Sequence, residues 1–145
     1  MESPSGVAPD FTVQTLDGHQ ITLSNLKGKT VLLDFWATWC GPCRESIPHL
    51  VQLYQTYGKE GFELIGVSLD RGDPETVRNF VKRMAIPYPI TIAPEEMARK
   101  YGVTALPTTI LIDKDGTILL KVAGFSPTLA KEITAKVGDL TSGKP

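Results

Sequence analysis

The sequence predicts an α/β sandwich built on a mixed sheet, and three observations carry that expectation. Two near-continuous apolar runs, TVLLDFW at 30–36 and FELIGVSL at 62–69, have the composition of strands covered on both faces. Between them lies a helix-length segment, CRESIPHLVQLYQTYG, closed by Gly58, which makes a βαβ unit with parallel strands. Near the C-terminus, TTILID and TILLKV flank the turn DKDG and read as an antiparallel hairpin.

The remaining elements follow in order. DFTVQTLDGHQITL alternates Phe11, Val13 and Thr15, turns at Asp17-Gly18 and resumes with Ile21 and Leu23, the pattern of an N-terminal β-hairpin. After the second apolar run, DPETVRNFVKRM offers Asp73 as a cap, Pro74 at the first helical position, and Val77, Phe80, Val81 and Met84 at helical spacing. YPITI is a short strand, and PEEMARKYG is a helix that opens on Pro94 and two acids and ends at Gly102. The last helix runs from Ser126-Pro127 through Leu129, Ile133 and Val137. With 145 residues and no internal repeat, the chain is expected to form one domain at 10–139, between a flexible tail at 1–9 and a loose one at 140–145.

Composition narrows the function. A net charge of -1 lacks the basic excess that phosphate binding needs, so nucleic acid is not expected as a partner. The most apolar stretch, TVLLDFWATWC, is too short to cross a bilayer and carries Asp34 in its middle. The opening MESPSGVAPDF has neither a basic start nor an apolar run, so the expectation is a cytosolic protein or one whose export segment is absent from this chain. A monomer is expected.

The chain has two cysteines, and both stand in WCGPC, directly after a strand and at the start of a helix. The spacing puts Cys40 and Cys43 on one face, within reach of a disulfide that closes a very small ring. Such a ring removes little entropy from the unfolded chain, so reactivity explains the pair better than stapling does. At a helix N-terminus the unpaired backbone N–H groups favour a thiolate at Cys40, with a pKa brought to the order of 3.5 to 7.5. Cys43, one turn further in, is the less exposed partner. Pro42 suits the first helical turn, and Gly41 leaves room for a substrate backbone. A zinc site is the competing reading, but it needs four ligands and the chain adds only His19 and His49, neither in a paired motif. Inert packing of two core cysteines is the other.

DFWATWCGPC resembles the active-site segment of the thioredoxin superfamily, and Pro48, five residues after Cys43, matches that family's helix-kinking proline. ALPTTILIDKDG is similar to the second signature, in which a cis proline faces the disulfide. The lead-in APDFTVQTLDGHQITLSNLKGK and the extra segment before Pro107 resemble the bacterial thiol-disulfide oxidoreductases typified by TlpA and ResA. The resemblance spans roughly residues 8 to 138. It implies a thioredoxin fold: a three-layer α/β/α arrangement with a central mixed sheet, an N-terminal β-hairpin and an inserted helix-containing segment.

It also implies a function, reduction of protein disulfides through a Cys40/Cys43 dithiol and a mixed-disulfide intermediate. No organic cofactor or metal is required. Electrons come from a partner redox protein, and the branch points to a membrane thiol-disulfide transducer. The branch further implies an extracytoplasmic place, periplasmic or membrane-tethered, in cytochrome c maturation or thiol homeostasis.

Several residues carry two readings. Asp34 lies in an apolar strand where an unpaired charge is expensive, so its pKa is expected to be raised. It falls on the family's buried acid, a proton acceptor for Cys43; the alternative is a carboxylate pointing out at the strand end. Pro107 is the cis proline by resemblance and an ordinary trans turn otherwise; if cis, it frees the Leu106 backbone to pair with an extended substrate. Trp36 reads as core, while Trp39 shields the thiolate or contacts substrate. Arg71, Arg78, Lys82 and Arg83 read as a solvated helix face rather than a docking patch.

One departure qualifies the resemblance. Ser46 stands where the ResA type carries a glutamate, which weakens the expectation of an acid-tuned, substrate-specific role; Gly41-Pro42 resembles ordinary thioredoxin and a reducing couple. A peroxiredoxin-like thiol peroxidase is the alternative enzyme, but its motif wants threonine three residues before the cysteine, where Ala37 stands. A non-catalytic binding module is the third possibility, opposed by the intact cysteine pair.

Overall fold

The computed structural model describes residues 6–142. Its hairpin comprises β1 (Thr12–Gln14) and β2 (Gln20–Thr22), followed by one 3-10 turn at Leu23–Leu26. The main elements are β3 (Thr30–Trp36), α1 (Gly41–Tyr57), β4 (Phe62–Ser68), α2 (Pro74–Arg83), β5 (Ile90–Ile92), α3 (Glu95–Lys100), β6 (Thr108–Ile112), β7 (Ile118–Ala123) and α4 (Pro127–Thr141). The five-stranded sheet has the order β5-β4-β3-β6-β7. Its β3–β4 and β4–β5 pairs are parallel, and its β3–β6 and β6–β7 pairs are antiparallel. The expected mixed sheet is therefore present, with the most apolar strand at its centre.

All seven residues of β3 are buried, because helices cover both faces. Leu32 and Trp36 face the layer built from α1, α2 and α4, together with Cys43, Leu50, Phe80 and Val137. Val31, Leu33 and Phe35 face the opposite layer, where Met97, Tyr101, Val13 and Leu23 pack. Burying a side chain the size of Phe35 or Trp36 stabilises the fold by roughly 1.5 to 3 kcal/mol. The two layers hold β3 rigidly, so the turn at its C-terminal end has a fixed point of departure.

The hairpin forms a separate two-stranded sheet, tied to the main one where Thr15 bridges Thr91 and the Leu16 N–H donates to the Ile90 carbonyl at 2.9 Å. Packing also begins earlier than residue 10, the start expected from sequence. Val7 bridges Thr117, and buried Ala8 donates its N–H to the Gly116 carbonyl at 2.9 Å. The turn before β7 leaves backbone groups unpaired, and residues 7–8 satisfy them. At the other end α4 continues through Thr141, two residues past the expected limit of 139. The outer parts of both expected tails lie outside the described residues.

Gly66 shows how tightly the sheet centre is filled. A Cβ there would come within 2.5 Å of Ile90 Cδ1, 3.2 Å of Trp36 Nε1 and 3.2 Å of Tyr88 Cε1. Ile90 can turn aside, but the two buried rings have nowhere to go. Gly66→Ala is expected to lower unfolding stability by about 1 to 3 kcal/mol through overpacking. Chemical denaturation measures this, and a loss under about 0.5 kcal/mol would show that the rings yield.

Candidate active site

Three helices begin with a side chain that accepts a hydrogen bond from the first turn. The Asp73 carboxylate accepts from the Glu75 N–H at 3.0 Å, and the Ser126 hydroxyl accepts from the Leu129 N–H at 3.1 Å. At α1 the same place is held by sulfur: Cys40 Sγ accepts from the Cys43 N–H at 3.2 Å. A cap oxygen satisfies an orphan donor for local stability. A cap sulfur does this too, and it can also carry a full negative charge that the donor and the helix dipole stabilise.

Cys40 and Cys43 are joined as a disulfide with Cα atoms 5.2 Å apart. Cys40 is 6% exposed and Cys43 is fully buried, so one sulfur is reachable and the other waits beneath it. Pro42 is exposed in the first helical turn, and Gly41, beside it, has nothing within 4 Å of where a Cβ would lie. Ser46 is buried and donates its hydroxyl to the Cys43 carbonyl at 2.9 Å. Trp39 is 69% exposed, whereas Trp36 is buried against Phe80 with ring centroids 5.4 Å apart.

Beside the disulfide runs a largely apolar groove walled by Trp39, Gly41, Pro42, Leu69, Val103 and Leu106. Leu106 is half-buried and touches both core layers, and the Leu106–Pro107 peptide bond is cis. The Pro107 carbonyl accepts from the Gly124 N–H at 2.8 Å, which fixes this loop against the end of β7.

Asp34 sits opposite Gly66 on β4 and Thr109 on β6, at the middle of the sheet. Strand alternation turns it to the same layer as Leu32, Trp36 and Cys43. It is 2% exposed, and its Oδ1 has no hydrogen-bond partner. Burial without a compensating donor pushes its pKa up to about 7. The Tyr88 phenol is pushed upward as well, first by its own burial and then by the charge of Asp34, which marks the two as neighbours. The carboxyl does not point out at the strand end.

Sequence reasoning passed over Asp70. This buried residue follows β4, and its carboxylate accepts the Thr38 hydroxyl at 2.6 Å, the Thr38 N–H at 3.0 and 3.2 Å, and the Ser68 hydroxyl at 2.7 Å. Thr38 is two residues before Cys40 but 32 before Asp70, so no local motif announces the pair. An acid closing an apolar strand was the available signal. Among the expected basic residues, Arg78 pairs with Glu75 at 2.9 Å, and Arg71 donates to the Asp70 carbonyl at 2.9 Å, so neither is unpaired. Among the described residues, no cluster of three or more His, Cys, Asp or Glu side chains is arranged to hold a metal.

A reachable cap sulfur in a disulfide with a buried one, on this three-layer scaffold, defines a thioredoxin-fold thiol-disulfide oxidoreductase. The chain belongs to the AhpC/TSA family, which it matches over residues 4–121, and within it to the ResA-like thiol-disulfide oxidoreductases. It is 42% identical over 118 residues to the thiol-disulfide oxidoreductase ResA of Bacillus thuringiensis subsp. konkukian, covering 81% of this chain and 68% of that protein. ResA of Geobacillus kaustophilus is 40% identical over 127 residues, covering 86% and 70%. A solved Chlorobium tepidum structure, assigned as the thiol:disulfide interchange protein DsbE, superposes with a TM-score of 0.89 at 32% identity, covering 97% of this chain and 99% of that one. These relatives favour disulfide exchange over the peroxidase alternative.

The buried carboxyl makes a stability prediction. The folded protein holds a proton at Asp34 that the unfolded chain, with a value near 3.8, releases. The stability contributed by Asp34 is therefore fully present below about pH 4, falls as pH rises, and levels off above about pH 7. Asp34→Asn is expected to flatten this dependence and to leave the oxidised protein about 2 to 4 kcal/mol more stable at pH 8. Urea unfolding across that range measures it; parallel curves for the two proteins would remove the assignment.

Proposed function

We propose that this chain reduces disulfides in extended protein substrates, with Cys40 as nucleophile, Cys43 as resolving thiol and Asp34 as the proton acceptor that activates Cys43. The observation that carries the reading is the position of Cys40 Sγ, capping α1 and accepting the Cys43 N–H beside an apolar groove. In the reduced protein this place favours thiolate over thiol.

The Cys40 thiolate attacks one sulfur of the substrate disulfide, forming a mixed disulfide and releasing the other substrate sulfur as a thiolate that takes a proton from solvent. Cys43 then loses its proton toward Asp34 and attacks Cys40 Sγ. The second substrate sulfur leaves as a thiolate, which takes up a proton from solvent while Asp34 returns its own there, and the Cys40–Cys43 disulfide closes. Two electrons have passed from protein to substrate, so a donor dithiol must reduce the pair before another turnover. Trp39, Gly41, Pro42 and Leu106 form the substrate-binding surface, and Pro107, itself buried, sets the backbone of Leu106 through the cis bond. The segment that ends at half-buried Leu106 offers backbone groups to an extended chain, while Trp39 covers apolar side chains.

The ResA relatives support an extracytoplasmic site of action; the proposal extends, by resemblance to that branch alone, to a membrane thiol-disulfide transducer as electron donor and apocytochrome c among the substrates. Ser46, bonded to the Cys43 carbonyl, replaces the acid of the ResA type and supports a less specialised reductant.

Cys40→Ser is expected to abolish reduction of insulin disulfides, while Cys43→Ser accumulates covalent adducts that dithiothreitol releases. Substantial turnover by Cys40→Ser would overturn the assignment. In the reduced protein, iodoacetamide alkylation of Cys40 should be half-maximal well below the value of about 8.5 for a free thiol.

A further inference from the structure

The loop between β3 and α1 carries the exposed Trp39, which makes no ring contact or side-chain hydrogen bond among the described residues. The residue before it, Thr38, is held on three sides: its hydroxyl and N–H donate to the Asp70 carboxylate, and its carbonyl accepts from Arg44 Nη1 at 3.0 Å. Asp70 is itself fixed by Ser68, whose hydroxyl donates to Oδ2 at 2.7 Å and accepts the Asp70 N–H at 3.0 Å. Between Ser68 and Asp70 stands Leu69, whose N–H donates to the Trp36 carbonyl at 2.8 Å.

The two stretches laced together in this way each supply one wall of the groove. Trp39 follows Thr38, and Leu69 precedes Asp70. Hydrogen bonds to an ionised carboxylate are roughly twice as strong as neutral ones, and this carboxylate is only 7% exposed, so water competes little for it. From this arrangement we infer that Asp70 is a positioning residue for substrate recognition: through Thr38 it fixes the spacing of the Trp39 and Leu69 walls, and so sets how well an extended protein disulfide, as opposed to a small one, reaches Cys40.

The inference rests on the disulfide-reductase reading and deepens it. A small disulfide needs only the exposed edge of Cys40 and is indifferent to the groove. A polypeptide must lie between the walls before its sulfur meets the thiolate, and loosening the walls costs it orientation.

The test compares second-order rates of the reduced full chain with insulin and with 4,4′-dithiodipyridine. Thr38→Val removes the hydroxyl donor at nearly constant volume, Asp70→Asn removes the charge and one acceptor, and Thr38→Ser keeps the donor. Thr38→Val and Asp70→Asn are expected to slow insulin reduction about tenfold, equivalent to one lost interaction of this kind. Their dithiodipyridine rates should stay within about twofold, and Thr38→Ser should follow the unsubstituted chain on both substrates. Thermal midpoints are recorded alongside, because a purely structural anchor lowers the midpoint without changing the ratio of the two rates. Equal slowing on both substrates, or no slowing on either, overturns the inference. If Asp70→Asn does not fold, Thr38→Val alone decides, since it keeps the Thr38 N–H bonds. A reduced unsubstituted chain inert to both substrates would instead refute the reductase reading itself.

Discussion

One sulfur atom is asked to do two things at the head of α1. As a cap, Cys40 Sγ must stay beside the Cys43 N–H, as the oxygens of Asp73 and Ser126 do at α2 and α4. In the proposed reaction it must, as nucleophile, leave that place enough to bond a foreign sulfur. Both demands are met only if the donor does not move, because a helix end that frayed would give the thiolate back to water. The rest of the fold supplies that rigidity. β3 is buried along its whole length, and β4 reaches across to grip the loop through Asp70.

Rigidity around the sulfurs coexists with a deliberate weakness at the sheet centre. Asp34 occupies a position that a valine would fill at no electrostatic cost, and its Oδ1 is left without a donor. Gly66 opposite provides no side chain, which admits the Trp36 and Tyr88 rings and surrounds the carboxyl with apolar surface. An acid in such surroundings exchanges its proton near neutrality, where an exposed carboxylate, although ionised, is too weak a base to hold one. The fold gives up stability at one residue and keeps an ionisable group at the sheet centre, the one proposed above as proton acceptor.

The element order was legible because each part announced itself locally. The apolar runs of β3 and β4, the Asp73-Pro74 and Ser126-Pro127 starts, and the Asp17-Gly18 turn all report on neighbours a few residues away. The cysteine pair was legible for the same reason, and the raised pKa of Asp34 followed from one charge in an apolar strand. What stayed hidden depends on contacts between distant parts. The docking of Ala8 on Gly116, the packing of Tyr88 beside Asp34, and the Thr38–Asp70 bonds join residues separated by 32 positions or more. The cis geometry at Leu106–Pro107 was reachable only by resemblance, since nothing in ALPTT distinguishes the two isomers by itself.

The hairpin also covers part of a sheet edge. By bridging Thr91 and bonding the Ile90 carbonyl, it occupies the outer backbone of β5, which would otherwise be an open sheet edge. Where that backbone is occupied, a disulfide substrate tethered through its sulfur finds fewer free groups on which to add a strand.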